Sequence, residues 1–331
     1  MKQPLVSIIL PTYNVERFLK KCLDSLADQT YKNTEVIIVI DGATDNSYDI
    51  AKEYCQTHPH FSVYWQENQG SGPARNNGLS RAKGELIMFV DPDDWCEPDY
   101  VETLVRYQVE HDCDLVISRD IIAECSSSGE ILQYTNKEGK FEMCESQTQA
   151  RKDYARLLTS DLISSPHAKL YKKSVIDENS VSFPALRRSQ DIAFNYRFFS
   201  CINNYCMCPK NGYVYRIIPS ERSTKIRKDY YQIISVLYGD LQLMYRNWGM
   251  DFDSALIPNH FFTRLCGHFY LTKPSSQTIR EIMSDPVLQD LVKDAHPIRT
   301  DRKICHSLLK SKSYRMASLS FSFFSLVKRF A

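Results

Sequence analysis

No sign of charge dominates this chain of 331 residues: 41 Lys and Arg face 40 Asp and Glu, a formal net charge of +1. Such a balance creates no global field that would draw nucleic acid, so no nucleic-acid partner is expected. Long hydrophobic runs are missing too. No stretch approaches the roughly 18 apolar residues that a membrane-spanning helix needs. The N-terminal run Leu5 to Leu10 is too short for a secretion signal and stops at Pro11. Paired cysteine spacing is also missing. The 11 cysteines contain no C-x-x-C, and Cys201, Cys206 and Cys208 lack zinc-site spacing, which predicts reduced, packing thiols in a cytosolic protein. Gly70-Ser-Gly72 is no G-x-G-x-x-G and opens no dinucleotide site, and no internal repeat is present. What remains is an ordinary globular composition, 43% hydrophobic and 24% charged, which excludes disorder and disulfide miniproteins. At about 150 residues per domain, the length suits one main domain and a smaller one.

The first half alternates two periodicities. Leu5 to Leu10, Glu35 to Ile40, Phe61 to Trp65 and Leu86 to Val90 are short, β-branched or aromatic apolar runs that read as strands. Between them lie helical spacings. Phe18, Leu19, Cys22, Leu23 and Leu26 share a face behind Asn14 as N-cap; Ile50, Ala51, Tyr54 and Cys55 follow Asp45 as cap; a third helix follows Gly70-Ser-Gly-Pro73. Pro98 opens a fourth helix that ends near His111. This alternation predicts right-handed crossovers, a mostly parallel sheet covered on both faces, and ligand binding outside the carboxyl ends of its strands. Pro11-Thr12-Tyr13-Asn14, Asp41-Gly42 and Asp91-Pro-Asp-Asp94 all fall at those ends, so three polar clusters converge on one rim.

Each cluster has a chemical and a plain reading. Two carboxylates two residues apart at a strand end suit a hard divalent cation, Mg²⁺ or Mn²⁺, shared with a diphosphate. Alternatively, the loop is simply acidic and Asp94 caps the next helix. Asp41 can accept the imide N–H of uracil while Tyr13 packs on the base, or it is a turn residue before Gly42. Arg75 can pair with a diphosphate, hold the acidic cluster in place, or be a surface arginine.

Val6-Ser-Ile-Ile-Leu-Pro-Thr-Tyr-Asn14, Asp41-Gly-Ala-Thr-Asp45, Gly72-Pro-Ala-Arg-Asn-Asn-Gly78 and Phe89-Val-Asp-Pro-Asp-Asp-Trp95 stand in an order and spacing that resembles the family 2 glycosyltransferases. The likeness is to the bacterial enzymes that build capsule, lipopolysaccharide O-antigen and exopolysaccharide. It is strong over residues 5 to 120, looser over 160 to 225 and absent beyond about 230. The resemblance implies a GT-A fold, a nucleotide-sugar donor (UDP-linked on this reading), a divalent metal (Mn²⁺ or Mg²⁺) and inversion at the anomeric carbon. By position it assigns Pro11, Tyr13 and Asp41 to the nucleobase, Arg75 to the nucleotide and Asp91 and Asp93 to the metal. Asp93 is then the direct ligand, Asp91 lies towards ribose or metal, and Asp94 stands behind them.

The resemblance also implies a catalytic Asp opening a later helix. The matching stretch is Arg188-Ser-Gln-Asp-Ile-Ala-Phe194, which makes Asp191 the base, with Gln190 where an acidic residue is usual. A carboxylate there suits the task of taking a proton from an acceptor hydroxyl; otherwise Asp191 is a helix-start residue favoured by the macrodipole. Losing the neighbouring charge at Gln190 should make the base less basic. Gly212-Tyr-Val-Tyr-Arg216 and Ser220-Glu-Arg-Ser-Thr224 resemble a strand and serine-bearing loop, with Arg216 and Ser223 at the diphosphate. His167, in a position where Trp or Asn is usual, either faces the acceptor or is structural.

The expected organisation is an α/β GT-A domain over residues 1–225 (nucleotide-sugar half 1–120, acceptor half 121–225), followed by a helical region over 226–331. Between Arg302 and Ala331 lie seven Lys or Arg and no acid, and Leu319, Phe323, Leu326 and Phe330 fall at helical spacing. A basic amphipathic segment of this kind suits an anionic membrane surface; the alternatives are a solvated or core-docked helix, or a strand over 319–323. The function expected is metal-dependent, inverting transfer of a sugar to a glycan or lipid-linked acceptor, in the cytoplasm or on the inner face of the membrane. A non-catalytic assembly scaffold and a sugar-phosphate nucleotidylyltransferase are the alternatives.

Overall fold

The computed structural model describes residues 3–186, 188–219, 228–252 and 256–327. The loop at 220–224 with Ser223, the side chain of Leu326, and Lys328, Arg329 and Phe330 lie outside the described residues. The chain forms two compact units, Met1–Tyr154 with Asp161–Arg222, and Ala155–Ser160 with Ser223–Ala331.

In the first unit, β1 (Val6–Thr12), α1 (Glu16–Ala27), β2 (Thr34–Asp41), α2 (Ser47–Thr57), β3 (Phe61–Gln66), α3 (Ser71–Arg81) and β4 (Leu86–Phe89) follow the periodicity of the sequence. The four strands pair in parallel, in the order β3-β2-β1-β4. Along the chain come β5 (Trp95–Cys96), α4 (Tyr100–His111), β6 (Leu115–Ile117), β7 (Asp120–Cys125), β8 (Ile131–Asn136), β9 (Glu142–Cys144), α5 (Gln147–Thr159), β10 (Lys169–Lys172), α6 (Lys173–Glu178), α7 (Gln190–Cys201), β11 (Tyr205–Met207) and β12 (Tyr213–Ile217). β10 inserts antiparallel between β4 and β6, and β11 and β9 complete an eight-stranded sheet. The outer half of the sheet is therefore mixed rather than parallel. A second sheet runs β5-β12-β7-β8 around Trp95, Ile121, Ala123, Cys125, Val214 and Ile218.

All seven residues of β1 are buried because both faces of the sheet are covered. Val6, Ile8 and Leu10 meet Leu19, Cys22, Leu23 and Leu26 of α1 and Val101 and Leu104 of α4 in one core. Burial of each such side chain contributes about 1.5–3 kcal/mol. On the other face Ile9 meets Gly78 of α3, where an added Cβ would lie 2.4 Å from Ile9 Cγ2. Phe89 packs edge-on against Tyr171, Phe183 and Phe194 of α7.

Asp45 Oδ1 accepts the Ser47 N–H at the start of α2, as expected (3.0 Å), but the start of α1 differs. Asn14 has φ +49° and bonds Thr44, so it does not cap α1. Instead the two helix starts cap each other. The N–H of Glu16 donates to Asp45 Oδ2 (3.0 Å) and that of Asn46 to Glu16 Oε2 (2.9 Å), placing each carboxylate at the positive end of the other helix.

The second unit is helical: α8 (Tyr230–Asn247), α9 (Leu256–Thr272), α10 (Ser276–Ile282), α11 (Pro286–Asp294), α12 (Thr300–Lys310) and α13 (Tyr314–Val327). Ser275 and Asp285 cap α10 and α11 through side-chain oxygens. α13 buries Ala317 and Phe321, the latter against Phe269 and Tyr270 of α9. Residues 319–323 are thus helical, not a strand. Among the described residues no helix is long and apolar enough to cross a membrane, and all 11 cysteines are free.

Candidate active site

Parallel pairing of β1, β2 and β4 sets Pro11, Asp41 and Asp91 at the same edge of the sheet. Pro11 is buried within β1, and the ring of Tyr13 beyond it is half exposed. Asp41 is 2% exposed, and its oxygens accept from Gln66 Nε2 (2.8 Å), Gln69 N (2.9 Å) and Gly70 N (2.8 Å). Gly42 follows with φ +66°, and a Cβ there would lie 2.7 Å from the backbone nitrogen of Asn68. The Asp-Gly pair therefore does more than turn the chain: it anchors the 66–70 loop that leads into α3. Oδ2 accepts from one protein donor, the Gly70 N–H.

The three acids of the 91–94 loop have different surroundings. Asp94 is fully buried, accepting from the Tyr213 hydroxyl (2.6 Å) and the Arg216 N–H (2.8 Å). It ties the loop to β12 and caps no helix; α4 starts at Tyr100 behind Asp99, which makes no side-chain cap. Asp91 Oδ1 accepts from Arg75 Nη2 at 2.8 Å. Burial pushes its carboxyl up, but Arg75 and His167 beside it prevail and hold it well below the ordinary carboxylate range. Asp93 is partly exposed, and among the described residues no other residue bonds its carboxylate. Burial and the charge of Asp91 raise its pKa.

Arg75, in the second turn of α3, is 3% exposed and bridges two carboxylates, Asp91 Oδ1 and, through Nη1 at 2.6 Å, Asp191 Oδ1. Of the roles open to it from sequence, the structure shows the one that holds the acids in place; both Nη groups are taken by carboxylates. Asp191 stands in the first turn of α7 with its side chain 30% exposed and Oδ2 free of the arginine. Burial raises its pKa against the pull of Arg75, with the charge of Asp91 adding to the rise. Gln190 is buried, and its amide donates to Ser71 Oγ at the start of α3.

Arg216 does not join the rim cluster. Its guanidinium is buried between Phe18 (4.5 Å) and Trp95 (4.7 Å), and Nε donates to the Asp93 carbonyl at 2.7 Å. It braces the backbone of the acidic loop.

On the other side of the cluster the sequence singled out His167 but not its contact with Asp91, nor Asp120 and Lys169 beside it. Tyr171 opposite Ile87 and Lys172 opposite Leu86 set the β4–β10 register; extended past the strand ends, it puts His167 opposite Asp91. The imidazole is 7% exposed and stacks on Tyr213, centroids 4.6 Å apart. Nδ1 lies 3.4 Å from Asp91 Oδ2, and Nε2 3.3 Å from Asp120 Oδ2. Burial opposes charge on the ring, but Asp120 and Asp91 raise its pKa to about 10. Lys169 is buried beneath, donating to the His167 carbonyl (3.0 Å), and burial lowers its pKa to about 8. Asp120 opens β7 opposite Tyr213 of β12, a pairing that no local pattern signals.

Among the described residues one group could hold a metal: Asp91, Asp94 and His167 place one ligand atom each within 4.8 Å of one another. With Asp93 beside them, this hard oxygen set plus one imidazole fits Mn²⁺ or Mg²⁺.

The sequence model of the family named "Glycosyl transferase family 2" matches residues 7–180. The chain belongs to that family. It is 36% identical over 245 residues to the glycosyltransferase EpsH of Bacillus subtilis (strain 168), covering 72% of this chain and 68% of EpsH. Over 112 residues it is 37% identical to the teichuronic acid biosynthesis glycosyltransferase TuaG of the same organism, 34% of this chain and 44% of TuaG. Among solved structures, residues 1–349 of S. aureus TarS in complex with UDP-GlcNAc match with a TM-score of 0.70 at 20% identity, covering 97% of this chain and 91% of that one. That likeness shows a shared fold, the GT-A fold that the motifs imply. This family 2 protein is therefore a glycosyltransferase, with the cluster around Arg75 at the carboxyl edge of its sheet.

Proposed function

We propose that the protein transfers a sugar from a UDP-linked donor, with inversion and with a divalent cation, to a hydroxyl of a glycan or lipid-linked acceptor in cell-surface polysaccharide synthesis. The observation that carries this reading is the Asp91–Arg75–Asp191 bridge. It places the acidic loop and a partly exposed carboxylate, raised in pKa by burial, in one cluster. The TuaG name and the UDP-GlcNAc held by TarS support the pathway and donor class.

In this reading Pro11, Tyr13 and Asp41 bind the uracil, Asp41 Oδ2 taking its imide N–H. Asp93, with Asp91 beside it, faces the diphosphate; a cation bound there would offset the charge that gathers on the leaving group. Asp191 Oδ2 takes the proton of the acceptor hydroxyl as that oxygen bonds to C1. The bond from C1 to the β-phosphate oxygen breaks, and UDP leaves with the electron pair. Arg75 fixes the base and the acidic loop at the spacing this step needs. No covalent intermediate is required, so the anomeric configuration inverts.

α13 supports contact with a membrane surface. Its outward stripe Met316, Leu319 and Phe323 is 55–61% exposed, and Lys310, Lys312 and Arg315 beside it are exposed as well. An apolar stripe edged by bases fits anionic headgroups, which would set the enzyme beside a lipid-linked acceptor on the cytoplasmic leaflet. The experiment that tests the whole reading is a panel of nucleotide sugars scored for nucleotide release with and without Mn²⁺. UDP release from at least one UDP-sugar, dependent on the cation, is expected. Absence of any turnover together with absence of UDP binding would favour a scaffold, and pyrophosphate release from a nucleoside triphosphate would favour a nucleotidylyltransferase.

A further inference from the structure

We infer that His167 is a nitrogen ligand to the divalent cation, binding through Nδ1, and that Asp120 holds the ring in the tautomer and orientation this requires. The inference rests on the metal dependence proposed above and assigns to this chain a ligand that lies outside the acidic loop.

Three observations carry it. First, His167 Nδ1 is buried without a hydrogen-bond partner, and the side chain is 9% exposed. Its nearest acceptor, the Asp91 carboxylate, lies within ion-pair distance without a formed hydrogen bond, so a cation between them would take the place of the Nδ1 proton. Second, Nδ1 faces carboxylate oxygen: it is 3.4 Å from Asp91 Oδ2, and the ligand atoms of Asp91, Asp94 and His167 all lie within 4.8 Å of one another. An ion at about 2.1–2.2 Å from each ligand spans such separations with a shift of about half an ångström at most. Third, the far nitrogen is already engaged, Nε2 lying 3.3 Å from Asp120 Oδ2 and 3.2 Å from Ser165 Oγ. An imidazole ligand whose other N–H meets a carboxylate is the arrangement that orients metal-bound histidines and raises their basicity.

Tyr213 joins these parts. Its ring stacks on His167 at an interplanar angle of 4°, its hydroxyl donates to Asp94 Oδ2, and the same hydroxyl accepts the Asp91 N–H. One tyrosine therefore positions all three ligand-bearing residues. The chemical consequence is selectivity. A site of carboxylates alone suits Mg²⁺ as well as Mn²⁺, whereas an imidazole nitrogen favours transition ions. The chain should therefore bind Mn²⁺ about tenfold or more tighter than Mg²⁺.

The test is electron spin-echo modulation of Mn²⁺ bound to the full chain with UDP. The wild type is expected to show ¹⁴N modulation that is replaced by ¹⁵N modulation when the protein carries ¹⁵N-histidine. The isotope exchange leaves fold and sequence untouched, so it decides the point even if a variant misfolds. His167→Asn should lose the modulation and narrow the Mn²⁺ to Mg²⁺ affinity ratio. Asp120→Asn should keep the modulation while weakening Mn²⁺ about 10–100-fold. Mn²⁺ bound without histidine nitrogen coupling would overturn this inference and leave the transferase reading standing. Absence of Mn²⁺ binding with UDP would overturn both.

Discussion

Replacing Arg75 with Met removes the guanidinium that joins the acidic loop to α7, and the structure sets the size of the effect. Its Nη groups lie 2.8 and 2.6 Å from Asp91 and Asp191, and the guanidinium side chain is 4% exposed. Losing one partner of a buried pair leaves uncompensated charge and costs about 3–5 kcal/mol. Asp91 and Asp191 keep side-chain exposures of 26% and 30%, so the low end, about 3 kcal/mol, applies. For a unit of this size that is on the order of 6–12 °C in Tm. Activity should respond in a direction the electrostatics fix. Asp191 works as the ionised form, its pKa is raised by burial, and Arg75 is the foremost of the neighbours that lower it, ahead of His167 and Lys169. Activity is therefore lost as pH falls through a value above the ordinary carboxylate range. Without Arg75 that acid limb moves to still higher pH. Scanning calorimetry and the pH profile of kcat/KM measure the two effects. A Tm within 2 °C of wild type, with only the donor KM raised, would refute the bridging role and return Arg75 to the diphosphate.

Other outcomes follow from single contacts. Gly78→Ala drives a Cβ against Ile9 Cγ2 and should cost about 1–3 kcal/mol, read as a lowered Tm that Ile9→Ala partly restores. Asp41→Asn turns one of its acceptor oxygens into a donor among three N–H groups, so UDP binding by calorimetry should weaken about tenfold or more. Leu319→Asp with Phe323→Asp, both at exposed positions, should abolish flotation with anionic vesicles and leave UDP binding intact; unchanged flotation would dispose of the membrane contact.

The strands and crossovers of the first 90 residues were legible because apolar runs and helical spacings are local signals, and parallel pairing then places their carboxyl ends together. Asp41 and Asp91 were legible as candidates for the same reason, and Asp191 through the resemblance alone. What was hidden depends on strands far apart in sequence. β10 lies about 80 residues from β4, so nothing near His167 announces that it will face Asp91. Asp120 meets His167 through the second sheet. Sequence could not show either that Phe18 and Trp95 enclose the Arg216 guanidinium. Asn14 was read as the cap of α1, which Asp45 supplies, and the cap that the plain reading of the 91–94 loop gave to Asp94 is not made.

The central claim is that the Asp191 carboxylate removes the acceptor proton, and Asp191→Asn tests it most directly when turnover and donor binding are measured together. A positioned general base contributes about 10²–10⁴-fold, so kcat should fall by that factor while UDP-sugar affinity stays within about threefold of wild type. A variant that turns over within tenfold of wild type would contradict the account.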